Sequence, residues 1–397
     1  MRRAAFVLLG LLMTAGRAEG QRLVVLDRKL SEVEAWARED TNDADRAYFL
    51  ALRHWKDHHW RQTDSLLRLA IQLEPRHAEA YLALSYLPYS RRPSLWEEVP
   101  KDHVPDSWKA AVAESDRLYK RAFGTNPMVS LNVLSLVFDI QEEPQLIDMT
   151  PSQALAYERW LAWWFDFGFG RYRSAYQRLQ RLAQRDYDEA KHPDHVPDGL
   201  LWFRGIAAAH TLYLDSAIAD YRVLLDRAVK KSQRNELVHI PLNDNDYRFM
   251  LATLHNVAGH TDSAVALYQE AVEHDLGLVM AHTYLAGIYD KRGRAEDAML
   301  ERRRAAEINN DDPTALFDLG MSLFKWGMTG QADEPLHQAI AINARYSPPY
   351  YLLARVDEDL GRVKDAREHY AEFLARSPQK MEDWRASAQQ RLDSLPK

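Results

Sequence analysis

Residues 278–310 read LVMAHTYLAGIYDKRGRAEDAMLERRRAAEINN, and their pattern recurs through the stretch from Asp244 to Ser377. Each copy is centred on one of four glycines at a constant spacing of 34 residues: Gly259, Gly293, Gly327 and Gly361. A leucine lies eight residues before each glycine, a small residue seven before it, and an alanine five after it. A fixed period of this length indicates a solenoid built from copies of one supersecondary unit.

Each copy predicts two antiparallel helices joined at its glycine. Apolar residues before Gly293 recur at helical spacing, and the glycine ends that helix because a reversing chain favours positive φ. The second helix is expected from about Ala295 to Ile308. Its inner face carries Ala298 and Ala305, where small side chains let two helix backbones approach closely.

This Leu-small, Gly and Ala pattern resembles the tetratricopeptide repeat (TPR). The resemblance is specific over Asp244–Ser377 and degenerate over much of Ala44–Lys230. It implies an all-α fold, a right-handed superhelix of helix pairs that binds peptides or proteins along its concave side. One departure is Pro335 inside the second helix of the third repeat, which is expected to kink that helix or delay its start by a turn.

The chain divides into four predicted segments. They are a signal peptide (1–20), irregular TPR-like helical pairs with loop insertions (21–243), four regular repeats (244–380) and a C-terminal capping helix (381–397). A first helix is expected from Leu23 to Asp40, and a proline-rich loop from Pro88 to Asp106. Because each repeat of a solenoid touches only its neighbours, one continuous body is expected.

The N-terminus has the features of a secretory signal. Arg2 and Arg3 precede an apolar run of ten residues, Ala4–Met13, and Ala18-Glu19-Gly20 offers a cleavage site before Gln21. Ten apolar residues are too few for a membrane-spanning helix, which needs about 20. Export to the periplasm or beyond is therefore predicted, with an uncleaved anchor as the alternative. The sequence has no cysteine, which excludes disulfides and a lipidated cysteine.

Net charge argues against a nucleic-acid partner. Removing residues 1–20 takes away three arginines and one glutamate, which leaves 48 Lys+Arg against 57 Asp+Glu, a net charge of −9. Backbone-phosphate binding needs a basic face. The run Arg302–Arg304 alternates with glutamates and is expected to be a solvated helix face.

Three local patterns leave alternatives open. His54 and His58 lie four residues apart, a spacing that can place two imidazoles on one metal, but no third ligand is evident, and packing or surface histidines are the favoured interpretation. The string DHVPD occurs at 102–106 and at 194–198. It is expected to start helices that Asp106 and Asp198 cap, or else to present two histidines to a ligand.

Tryptophans are concentrated in the first half of the chain. Nine of the eleven precede residue 203, including Trp160, Trp163 and Trp164. They either fill the cores of irregular pairs or line a groove for a glycan or another small ligand.

The resemblance to TPR proteins also assigns a candidate peptide groove, formed by the first helix of each repeat. Its residues are Phe249, Thr253, Asn256, Thr283, Asp290, Phe317, Met321, Phe324, Tyr351, Arg355 and Glu358. TPR proteins that hold C-terminal carboxylates use Lys and Asn at two of these positions, where the first two repeats have Phe249 with Thr253 and Thr283 with Gly287, so chaperone-tail binding is not implied.

No P-loop, dinucleotide-binding fingerprint, serine-nucleophile motif or cysteine nucleophile is present in the sequence. No cofactor and no metal are predicted. The expectation is an exported, non-enzymatic scaffold that binds a protein or peptide partner, for instance within a cell-envelope assembly. The alternative is a binding protein for a glycan or other small ligand that uses the tryptophan-rich half.

Overall fold

The computed structural model describes residues 28–91, 106–126, 166, 171–233 and 243–396. These residues form helices joined by turns, with no strand among them, which confirms the predicted all-α fold. They belong to two compact units. The central unit contains the described residues from 166 to 281, and the terminal unit contains 28–126 and 282–396. These units do not coincide with the predicted division at residue 243.

The four regular repeats are helical hairpins. Their helices are α9 (Asp244–Val257), α10 (Thr261–His274), α11 (Val279–Lys291), α12 (Ala295–Ile308), α13 (Pro313–Lys325), α14 (Thr329–Ile342), α15 (Pro348–Asp359) and α16 (Val363–Arg376). Each repeat glycine has a positive φ, between 71° and 80°. Each alanine five residues after the glycine is fully buried, as the spacing predicts.

The close approach of two helices is clearest in the third repeat. A Cβ added to Gly320 of α13 would lie 2.7 Å from Cγ of Leu336 on α14, so only glycine fits there. Pro335 lies inside α14, yet that helix begins at Thr329, in the same register as its counterparts. The expected delay of its start by one turn is therefore wrong, because the chain already turns at Gly327 with φ +76°.

The N-terminal part of the terminal unit consists of α1 (Leu30–Arg38), α2 (Ala44–Lys56), α3 (Trp60–Leu73), α4 (Ala78–Arg91) and α5 (Asp106–Thr125). The α2–α3 and α4–α5 hairpins match the predicted pairs. The first helix begins at Leu30 rather than at Leu23, since Arg28 and Lys29 are not helical. Helix α4 continues through Pro88 to Arg91, so the predicted loop does not begin at that proline.

The other α-helices among the described residues of the central unit are α6 (Tyr172–Asp186), α7 (Asp198–His210) and α8 (Leu214–Gln233). The turn between α7 and α8 uses Leu212, with φ +62°, and the turn after α2 uses His58, with φ +60°. Both occupy the position that glycine takes in the regular repeats. A buried ion pair joins α7 to α8, with Arg204 Nη2 2.6 Å from Asp220 Oδ1.

The N-terminal hairpins of the terminal unit pack against its C-terminal repeats. Lys380 Nζ lies 2.8 Å from Asp43 Oδ1 and 2.6 Å from Asp45 Oδ2. Arg76 Nη2 lies 2.7 Å from Asp318 Oδ2. The expectation that each repeat touches only its sequence neighbours is therefore wrong in this unit, because long-range ion pairs join segments distant in the sequence.

The chain ends with α17 (Glu382–Ser394), at the position of the predicted capping helix. Its Trp384 packs against Phe373 and Tyr351 of the last repeat, with ring centroids 6.3 and 4.9 Å apart. Leu392 packs against the same buried cluster. The expectation that polar residues of the cap face outward is confirmed only in part, because Arg385, Ser387 and Arg391 of α17 contact the last repeat.

Candidate functional site

The predicted groove residues of the first repeat lie in the central unit, and two of them are not available to a partner. Phe249 is 1% exposed and packs on Tyr268 of α10, with ring centroids 5.9 Å apart. Thr253 is also buried, and its hydroxyl accepts a hydrogen bond from Tyr268 Oη at 3.0 Å. The prediction that both line an open groove is wrong, because the residues of α9 around them are buried as well. Asn256 is half-buried near the end of α9.

Thr283 and Asp290, on α11, are both half-buried. Asp290 lies 2.6 Å from Arg302 Nη2 on α12 and accepts a hydrogen bond from Trp326 Nε1 at 3.3 Å. Asp290 therefore contacts both its own repeat and the next one. Arg302 is mostly buried as a consequence, whereas Arg303 and Arg304 are exposed, so the expectation of a solvated face is wrong for Arg302 alone.

Helix α13 divides its three predicted groove residues between core and surface. Phe317 is buried, edge-on to Tyr346 at a centroid distance of 5.8 Å. Met321 and Phe324 are only partly buried, and both pack against the apolar cluster beneath. The guanidinium carbon of Arg355, on α15, lies 5.5 Å from the centroid of the Phe324 ring. Met321, Phe324 and Arg355 are called the Phe324 patch below.

The other groove residues of α15 are covered by the capping helix. Tyr351 stacks on Trp384, and its hydroxyl lies 2.9 Å from Ser387 Oγ. Glu358 accepts hydrogen bonds from Tyr370 Oη at 2.7 Å and from Arg391 Nη1 at 2.8 Å. Burial and this carboxylate together raise the pKa of Tyr370. Two of the predicted groove residues thus bind a segment of their own chain.

The Phe324 patch therefore remains partly exposed in the terminal unit, as does Thr283 on α11. Arg355 Nε lies 3.5 Å from Glu358 Oε2 and makes no hydrogen bond within the described part of the chain. An aromatic ring, a thioether and a guanidinium are the groups enriched at the energetic centres of protein interfaces. The arrangement offers recognition chemistry.

The histidines near residue 54 do not form the expected pair. Helix α2 ends at Lys56, so His58 lies in the turn, where it is exposed and stacks on Trp60 at 5.1 Å. His54 instead meets His59, with their Nδ1 atoms 3.1 Å apart. The helical spacing of His54 and His58 was misleading because the chain reverses between them. No group of three or more potential metal ligands occurs among the residues that the structure describes.

The DHVPD string at 194–198 is held by two basic side chains of α8. Arg227 Nη1 donates to Asp198 Oδ1 at 2.7 Å and to the carbonyl of Val196 at 2.8 Å, and Lys231 Nζ lies 2.6 Å from Asp198 Oδ2. Burial would raise the pKa of Asp198, but Lys231 and Arg227 hold it below its usual value. The expected capping role is wrong, because Pro197 occupies the N-cap position. Residues 102–105 of the first string lie outside the described residues.

The tryptophan-rich alternative falls mainly outside the described residues, where Trp160, Trp163 and Trp164 lie. Of the others, Trp55 is 1% exposed and belongs to the core between α2 and its neighbours. A cavity of about 570 Å³ lies between α1, α2 and α3, and its lining includes Ala47, Leu50 and His54. No tryptophan lines it.

Within the described ranges, no helix combines the length and the apolar character that crossing a bilayer requires. The predicted signal peptide, residues 1–20, lies outside those ranges.

Neither known protein families nor curated protein sequences give a match to this chain. Among solved structures, it is similar to MamA, with 23% identity over 33% of this chain and 72% of that one and a TM-score of 0.31. It is also similar to the C-terminal part of a TPR repeat-containing protein from Cytophaga hutchinsonii, with 14% identity, 54% and 77% coverage and a TM-score of 0.42. A third is YrrB, described as a TPR protein with an unusual peptide-binding site, with 18% identity, 33% and 68% coverage and a TM-score of 0.31. At these scores the fold assignment rests on the hairpins themselves.

Proposed function

We propose that this protein is an exported, non-enzymatic scaffold that binds a protein or peptide segment through the Phe324 patch, within an assembly of the cell envelope. The observation that supports this proposal best is the partly exposed Phe324 ring beneath the Arg355 guanidinium. A cation above an aromatic ring and beside a thioether forms a compact anchor that a partner can cover.

The patch is held rigidly, which favours binding. Phe324 and Met321 pack on a cluster that includes the fully buried Leu336 and Leu353. Arg355 is fixed between the Phe324 ring and Glu358. Side chains already ordered in the free protein lose little rotamer freedom when a partner arrives, so more of the contact energy contributes to affinity.

The chemistry of the patch also describes its partner. An apolar side chain would cover Met321 and Phe324, and an oxygen acceptor on the partner would bind the exposed part of the Arg355 guanidinium, whose side chain is 27% exposed. We therefore expect a segment that carries an apolar residue close to a carboxylate or an exposed carbonyl.

Site-specific photo-crosslinking tests the surface. A benzoyl-phenylalanine placed at Phe324 should capture a specific partner in the native host. The same group at Leu300, an exposed apolar residue on the second helix of its repeat, should not. Equal capture from both positions would remove the patch from consideration.

Affinity measurements with the captured partner provide the second arm. Phe324→Ala should weaken binding by about 30-fold, the effect of losing about 2 kcal/mol at an interface centre. Leu300→Ala should leave the affinity unchanged. Export is tested separately by sequencing the N-terminus of the protein isolated from its host, which should begin at Gln21. A chain that begins at Met1 would contradict cleavage and leave the binding surface unaffected.

A further inference from the structure

The turn of each hairpin places two particular side chains next to each other. The amide of the residue after the turn donates to the carbonyl five residues earlier, as from His59 to His54 and from His260 to His255, both at 2.9 Å. This bond closes the C-terminus of the first helix and fixes both backbone positions. The two side chains that flank it are therefore held together by the fold.

Two of the other hairpins fill these two positions with a complementary pair. Asp357 and Arg362 form an ion pair at 2.7 Å. Arg294 lies over the ring of Tyr289 at 4.6 Å, a cation–π contact. These pairs stabilise the turn without any added group.

Two hairpins carry histidine at both positions, one in each compact unit. The Nδ1 atoms are 3.1 Å apart for His54 and His59 and 3.2 Å apart for His255 and His260. The ring centroids are 5.4 Å apart in both, with interplanar angles of 51° and 52°. In each pair, the histidine of the first helix is buried and the histidine after the turn is exposed. The same arrangement thus occurs twice in independent surroundings.

We propose that each histidine pair is a two-histidine chelate for a borderline divalent transition-metal cation, with water completing the coordination. Two nitrogens 3.1–3.2 Å apart, each about 2.0–2.1 Å from one ion, subtend about 100° at the ion. That angle lies between the square-planar and tetrahedral values. Binding therefore needs the two imidazole rings to rotate toward the ion, without movement of the backbone. Cu²⁺ should bind most tightly, since imidazole sites follow the Irving–Williams order.

Burial favours the neutral form of the first-helix histidine in each pair, which is the form that binds a metal. Burial and His59 lower the pKa of His54, as does Arg53, against the raising effects of Glu34 on α1 and of Asp57. Burial, His260 and Arg222 lower the pKa of His255. An ion can reach each pair through its exposed member. The absence of cysteine from the sequence removes the ligand type that would compete for soft cations.

Titration of the full chain with Cu²⁺ tests the proposal. Calorimetry should detect two equivalents per chain, and electron paramagnetic resonance should show two nitrogen ligands per ion. His59→Asn should remove one equivalent, and the double variant with His260→Asn should remove both. Both substituted residues are exposed, so the hairpins should remain folded, which circular dichroism can verify.

His58→Ala provides the matched control, because His58 is an exposed histidine next to the pair but outside it. It should retain both equivalents. Two equivalents in the double variant, or no Cu²⁺ binding by the unmodified chain, would overturn the proposal. Proton-dependent stability without any Cu²⁺ binding would identify the pairs as proton sites only and would also overturn it.

Discussion

The turn position occupied by His58 gives a prediction in which the usual ranking of alanine and glycine reverses. In the interior of a helix, alanine is more stabilising than glycine by about 1 kcal/mol. His58 has φ +60°, where an L-residue with a Cβ is strained. We expect His58→Gly to give a more stable hairpin than His58→Ala.

The magnitude follows from two opposing effects. A left-handed backbone costs an L-residue roughly 1–2 kcal/mol. Glycine loses about 0.5–1 kcal/mol through the greater freedom of its unfolded chain. Both substitutions remove the stacking of His58 on Trp60, so that loss cancels between them. The net difference is about 0.5–1 kcal/mol in favour of glycine.

Native-state hydrogen exchange of the α2–α3 hairpin measures this difference locally. The amide of His59, which donates to the carbonyl of His54, reports opening of the turn. A difference of about 1 kcal/mol changes exchange by about fivefold, with glycine the slower. Gly293→Ala is the reverse test, because no atom lies within 4 Å of the added Cβ and only backbone strain acts. Slower exchange with alanine at either position would refute the reasoning.

Three further predictions concern packing, charge and pH. Gly320→Ala should destabilise the third repeat by about 1–3 kcal/mol through its clash with Leu336. Gly287→Ala, at a helical glycine with open space around it, should instead stabilise its repeat by about 0.5–1 kcal/mol. Denaturant unfolding in which both substitutions change the stability in the same direction would contradict this. Lys380→Met should cost the terminal unit about 1 kcal/mol by removing two ion pairs, and the loss should shrink in 1 M NaCl, so a salt-independent loss counts against it. Burial lowers the pKa of His255, so as the pH drops the unfolded chain takes up a proton before the folded chain does, and the stability of the central unit should fall below about pH 6.5. Unfolding of His255→Gln at pH 5 and 7 should show a weaker dependence of stability on pH, and an unchanged pH dependence would argue against this origin.

The fold could be predicted from the sequence to the extent that local rules determine it. Gly293 needs a positive φ and Ala298 needs a close helix neighbour, and both requirements are visible in the spacing alone. His58 and Leu212 show where this stops, because they adopt the same turn without glycine. In the sequence, only the surrounding leucines and alanines indicate those turns. The packing of the two helices, rather than a glycine, determines the backbone conformation there.

The candidate site was less predictable because exposure depends on contacts between distant segments. Thr253 and Met321 occupy equivalent positions, six residues before their repeat glycines, yet Thr253 is buried and Met321 is partly exposed. Glu358 forms an ion pair with Arg391 because the capping helix folds back over α15. A repeat pattern identifies which positions face the groove, but it carries no information about which segment of the same chain covers them.

The contacts between the N-terminal hairpins and the last repeats imply that the terminal unit opens as a whole rather than one hairpin at a time. Arg76 follows α3 and pairs at 2.7 Å with Asp318 of α13, far away in the sequence. Arg76→Met should therefore increase hydrogen exchange in α13 as well as in α3, by up to about fivefold for a loss of at most about 1 kcal/mol. Arg294→Met is the control, because Arg294 pairs with Asp297 in its own repeat and should affect that hairpin alone. Unchanged exchange in α13 after Arg76→Met would mean that the repeats are stabilised only by their neighbours in the sequence, as in a simple solenoid.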